Sequence, residues 1–107
     1  MSFLEKNIPE TAEAFNRMRD SILKDGALDS RTKELIAVAS SVLMRCEHCT
    51  ELHSKKALSY GATSEQIAEA ISVAMLIAAG SQMGWTDIYD RVLDTNEEDK
   101  TTGTGWG

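Results

Sequence analysis

Proline, positive charge and cysteine are all scarce in this chain, and each scarcity narrows what it can be. One proline in 107 residues leaves long stretches free of helix breakers. There is no βαβ pattern, which disfavours a thioredoxin fold, and no internal repeat. No glycine-rich phosphate loop is present either, since Gly103 and Gly105 follow no strand. With 11 Lys and Arg against 17 Asp and Glu, the net charge is −6 and the pI is near 4.8. Nucleic acid and anionic membrane surfaces are therefore not expected as partners. Nothing reads as a membrane span. The start, Met1-Ser2-Phe3-Leu4-Glu5-Lys6, lacks the basic segment and long apolar run of a secretory signal, so a cytoplasmic location is expected. Only two cysteines occur, and in a reducing compartment such a pair is more naturally catalytic or metal-binding than a structural staple. Thr50 rather than His follows the second of them, which excludes a haem attachment motif.

What remains reads as one all-α domain. A hydrophobic content of 42% with 26% charged residues is ordinary for a globular protein, and the length suits one core. The first helix is expected from Pro9 to about Lys24, with Gly26 as its stop and Ala12, Phe15, Met18 and Ile22 as its apolar stripe. Asp29 is the expected N-cap of a second helix, whose stretch Leu35 to Met44 is apolar nearly all round. After a break near Arg45, a third helix runs to Tyr60, a packing residue, before the terminator Gly61. Thr63-Ser64-Glu65-Gln66 is a capping box opening a fourth helix, with Ile67, Ala70, Ile71, Ala74, Met75 and Ala78 along its stripe. Gly80 and Gly84 interrupt the pattern. A fifth helix is expected from near Ser81 or Trp85 through Leu93, with Trp85 a buried anchor and Ile88, Tyr89 and Val92 inward. The domain is placed at residues 1–95, and 96–107 reads as a disordered tail. Two very apolar helices in so short a chain cannot both be covered within a monomer, so a homo-oligomer is expected.

The chemistry concentrates in Arg45-Cys46-Glu47-His48-Cys49-Thr50-Glu51-Leu52-His53, which holds both cysteines and both histidines. In a helix Cys46, Cys49 and His53 stand at i, i+3 and i+7, so two thiols and an imidazole share one stripe. Free cysteines often serve as small apolar fillers, yet polar neighbours interleave these sulfurs. Redox chemistry, packing and metal binding are the three readings. A structural zinc site takes four ligands, and only His48 or a carboxylate remains to complete one. His53, four residues past Cys49, is well placed to take its proton, whereas Cys46 is nearer the helix start and feels the dipole more. Glu34, where the apolar run of the second helix begins, can reach the same spot and orient His53. His48 points away from the stripe, towards a surface or subunit-contact role. Thiolate attack on a peroxide, a sulfenic acid at Cys49, condensation with Cys46 and reduction by an external dithiol make a cycle that needs no bound cofactor and no metal.

Taken alone, Glu34 reads as an exposed first-turn acid favoured by the helix dipole, and the motif downstream turns that reading to a partly buried proton carrier. The order Glu34, Cys46-Glu47-His48-Cys49, His53, then Gly61-Ala62-Thr63-Ser64-Glu65-Gln66-Ile67-Ala68-Glu69-Ala70-Ile71, resembles the carboxymuconolactone decarboxylase-like superfamily in its alkyl hydroperoxidase D branch. The match covers about Leu28 to Gly80, and its E-x11-C-x-H-C-x3-H pattern is specific. The resemblance implies an all-helical subunit of roughly five helices assembled into homotrimers or homohexamers, with a CxxC that cycles between dithiol and disulfide. It implies peroxidatic Cys49, resolving Cys46, and proton relay by Glu34 and His53, with His48 matching the motif's inner histidine. It also implies a peroxide or disulfide as substrate and a dithiol as electron donor. Some relatives carry two such modules in a longer chain, whereas this chain has one. The superfamily's lyase chemistry on a muconolactone is the rival activity, and it has no use for a redox dithiol.

Overall fold

The computed structural model describes residues 1–93, and their regular structure is entirely helical. Helix α1 is Phe3–Asn7, α2 Pro9–Leu23, α3 Ser30–Leu43, α4 Glu47–Ser59, α5 Ser64–Thr86 and α6 Ile88–Leu93. The five expected helices are α2 to α6, and α1 is an addition. The tail expected at 96–107 lies outside the described residues.

Local chemistry sets most of these boundaries. Ser2 caps α1 by accepting the Glu5 amide at 3.2 Å. Pro9 opens α2, where its missing amide proton costs no helical bond. Asp29 caps α3 by accepting the Thr32 amide at 2.8 Å, and hydrogen bonding from Thr32 holds its carboxyl below the usual range. Thr63 and Gln66 exchange bonds of 3.1 and 3.0 Å at the start of α5, completing the capping box. Gly26 is not the end of α2, which stops at Leu23. Lys33 closes that end instead, its ammonium donating to the carbonyls of Ile22 at 2.8 Å and Lys24 at 2.7 Å.

Helices α3 and α4 end in the same way. The amides of Arg45 and Cys46 donate to the carbonyls of Val42 and Ser41, and those of Gly61 and Ala62 donate to Leu58 and Ala57. These are paired Schellman bonds, which need a left-handed residue just past the helix. Gly61 fills that position with φ 94°, whereas Arg45 fills it with φ 55°.

Helix α3 is the centre, packed against both α4 and α5. Its buried stripe is Glu34, Val38 and Ser41, at helical spacing. The fully buried apolar residues are few: Ala12, Val38, Ala57, Ala62 and Ala74. Several inward expectations fail for this reason. Phe15, Met18 and Ile22 of α2 are each more than half exposed, as are Met75, Tyr89 and Val92. Trp85 is 69% exposed rather than a buried anchor, and Tyr60 is 55% exposed rather than packed. Ala78 is exposed too, while Ile67, Ala70 and Ile71 are partly covered and Ala74 is buried as expected. Among the described residues no element lies over these faces.

Helix α5 also runs unbroken through Gly80 and Gly84 to Thr86, beyond the expected break. Gly80 is buried, so packing and the alanine-rich flank outweigh a helical cost of about 1 kcal/mol for glycine. The segment from Ser64 to Leu93 is long and apolar enough to cross a membrane by length and composition, and only 11% of its most apolar window is buried. That segment also packs on α3 through α5.

Gly61 allows a clean test of the chain reversal. A Cβ built there meets nothing within 4 Å, so Gly61→Ala should cost only the backbone term, about 1 kcal/mol. Urea unfolding of the two proteins should show that loss with an unchanged m-value.

Candidate functional site

Cys46 lies one residue before α4, in extended conformation, as the N-cap. Its sulfur accepts the amide of Cys49 at 3.2 Å, and its carbonyl accepts the Thr50 hydroxyl at 2.8 Å. The expectation of both cysteines inside the helix is thereby refined: only Cys49 is helical, and Cys46 takes the role usually given to Ser or Asp. Cys46 and Cys49 are joined in a disulfide, with Cα atoms 5.3 Å apart. Both are partly buried.

His53 follows Cys49 by four residues on α4 and so stands one turn along the same face. Its Nδ1 bonds Glu34 Oε1 at 2.7 Å, with Oε2 at 3.2 Å. Glu34 is 1% exposed on α3. A carboxylate can only accept, so Nδ1 carries the proton and the Nε2 lone pair is left free for chemistry. The structure thus brings Glu34 and His53 together across two helices, with Cys49 on the imidazole's own helix.

His48 is exposed and stands apart from this pair. It lies close enough to Glu51 to add to the lowering of that carboxyl, which is caused mainly by the hydrogen bond and charge of Lys55 at 2.9 Å. Among the described residues no group of three or more His, Cys, Asp and Glu is arranged to hold a metal ion.

Two clefts flank the site. One, about 520 Å³, is lined by Cys46 with Val42, Arg45, Glu47, Thr50, Glu51 and Ser54. The other, about 240 Å³ and nearly all apolar, lies between α2 and α3 and is lined by Phe15, Met18, Ile22 and Ala37, with His53 in its wall. The sulfur and the imidazole therefore open on different surfaces.

The sequence profile of the carboxymuconolactone decarboxylase family matches residues 9–90, nearly the whole described chain. The chain belongs to that family. A Paracoccus denitrificans relative, named uncharacterized protein 4 in cox locus, is 45% identical over 82 residues, covering 77% of this chain and 74% of its own. Alkyl hydroperoxide reductase AhpD of Corynebacterium kroppenstedtii is 35% identical over 65 residues, 61% of this chain but only 37% of that enzyme. A solved structure from Methanobacterium thermoautotrophicum superposes with a TM-score of 0.76 at 45% identity, covering 81% of this chain and 97% of that one. The carboxymuconolactone decarboxylase fold is thus shared by this chain over most of its length, and the AhpD likeness over a smaller part.

Within this family member, two contributions escaped the sequence reading. Cys46 caps α4 through its own sulfur, a role that residue type does not announce. The left-handed backbone of Arg45 has no signature in residue type. Removing the imidazole should show how much the Glu34 contact stabilises the fold. His53→Ala leaves a buried carboxyl without its partner, at a cost of about 2 kcal/mol, whereas the double variant Glu34→Leu/His53→Ala should recover part of it. Urea unfolding of all three proteins measures both effects.

Proposed function

We propose that this chain is a thiol-dependent peroxidase or disulfide oxidoreductase of the AhpD kind, working through Cys46 and Cys49 with Glu34 and His53 as proton relay. The observation that carries this reading is a CxxC disulfide one helical turn before a histidine whose Nδ1 is bonded to a buried glutamate. The AhpD likeness supports it.

In the reduced protein, His53 Nε2 takes the proton of Cys49, while Glu34 steadies the imidazolium that forms. The Cys49 thiolate attacks the terminal oxygen of a hydroperoxide and the O–O bond breaks. The alkoxide takes the proton from His53 and leaves as an alcohol, with Cys49 now a sulfenic acid. Cys46, its thiolate favoured by the α4 N-terminus, attacks Cys49 Sγ, forms the disulfide and releases hydroxide, which is protonated to water. An external dithiol then restores both thiols. The subunit needs no bound cofactor for any step. Such a cycle suits the cytoplasm, where reductant is plentiful. His48 has no part in these transfers and faces solvent or another subunit.

The thin core supports a homo-oligomer, a trimer or hexamer. Exposed Val73, Leu76, Met83 and Trp85 on α5, with Phe15 and Met18 on α2, form apolar faces that a single chain leaves bare. Sedimentation equilibrium at micromolar concentration should give a multiple of 11.7 kDa; a monomer alone would refute the assembly.

Counting free thiols before and after one equivalent of an organic hydroperoxide tests the cycle, with two thiols expected to fall to none and to return on adding dithiol. Cys49→Ser should abolish peroxide consumption, and Cys46→Ser should leave a trappable sulfenic acid. His53→Gln should slow turnover about 100-fold and move the thiol alkylation profile to higher pH, as Glu34→Gln should to a lesser degree. Full turnover in Cys49→Ser would overturn the assignment, and turnover of a muconolactone by the wild type would favour the lyase reading.

A further inference from the structure

We infer that Arg45 selects anionic thiol reductants at Cys46, the sulfur through which electrons enter. The inference rests on the redox reading above and assigns the reductant's charge and the atom it attacks. Three observations converge on it.

The first is the chain's choice of residue. The reversals after α3 and α4 make the same pair of Schellman bonds, yet one uses Gly61 and the other Arg45 in left-handed backbone. A non-glycine residue there costs about 1 kcal/mol, so the side chain is held at a place where the backbone would favour having none. Second, that side chain does nothing visible for the fold: Arg45 is exposed, and its guanidinium has no ion pair or hydrogen bond among the described residues. Third, it lines the cleft of about 520 Å³ that reaches Cys46 and not Cys49.

The charges around this cleft decide what Arg45 can attract. Glu51 is neutralised locally by Lys55 at 2.9 Å, which leaves Glu47 as the only uncompensated acid of the lining and Arg45 as its only cation. On a chain of net charge −6, an anionic thiol is repelled in general, whereas this lining carries no net charge and offers it one guanidinium. The guanidinium can hold a carboxylate or sulfonate by two parallel bonds while the thiolate of the same molecule meets Cys46.

In the exchange the reductant's thiolate attacks Cys46 Sγ and the bond to Cys49 breaks. Its electron pair passes to Cys49 Sγ, which is protonated by His53 or solvent. A second reductant thiolate then attacks the reductant's own sulfur in the mixed disulfide, releasing Cys46 as thiolate and an oxidised, disulfide-linked reductant.

Three small thiols of matched size test the inference: 2-mercaptoethanesulfonate, 2-mercaptoethanol and cysteamine, which are anionic, neutral and cationic. Each is added in excess to the oxidised full chain, the rate of disulfide opening is followed, and the mixed disulfide is located by alkylation and mass spectrometry. Taking the ratio of wild type to Arg45→Gly for each thiol cancels its intrinsic reactivity. The ratio should be about five for the sulfonate, near one for the neutral thiol and below one for cysteamine, and it should shrink at 1 M salt. Arg45→Lys should keep part of the preference, and the adduct should sit on Cys46. Arg45→Gly suits the backbone at this position, so its melting temperature should not fall and misfolding cannot mimic the result. Equal ratios for all three thiols, or an adduct on Cys49, would overturn the inference while leaving the redox reading in place. A disulfide that none of the thiols opens would overturn both.

Discussion

The hydrogen bond from His53 to the buried carboxyl of Glu34 is the contact around which this subunit is built. It ties α4 to the central stripe of α3 and gives a buried carboxyl its partner. A fold held mainly by apolar packing would put a leucine there. Here a position on the buried stripe of α3 holds an acid instead, bonded to a histidine that is itself only partly covered.

The rest of the interior is correspondingly slight. Four of its five fully buried apolar residues are alanines, each removing little area from water. Larger side chains are present, but they face outward from α2 and α5. Burying those faces would add far more apolar area than the described interior now holds.

How far the sequence could be read depended on the range of the force involved. Helix starts were legible because caps act over three residues: Asp29, Thr63 and Gln66 bond where their spacing says they must. Glu34 and His53 were legible through the motif they share with the cysteines, since Glu34 taken alone reads as an exposed first-turn acid, whereas the structure buries it against His53. The fate of Phe15, Met18 and Trp85 was not, because an apolar stripe says that something must cover it and not whether that something is the same chain. Gly80 was misread for a related reason, since local propensity predicts a break that packing overrides. The break at Arg45 was legible but its left-handed backbone was not, as residue type carries no record of φ.

The disulfide links residues only three apart in sequence. Closing so small a loop restricts the unfolded chain weakly, by about 2 kcal/mol against nearly 5 for a loop of a hundred residues. Opening so small a ring would therefore cost the scaffold little, so the bond between these sulfurs is a minor prop of the fold whatever chemistry it serves.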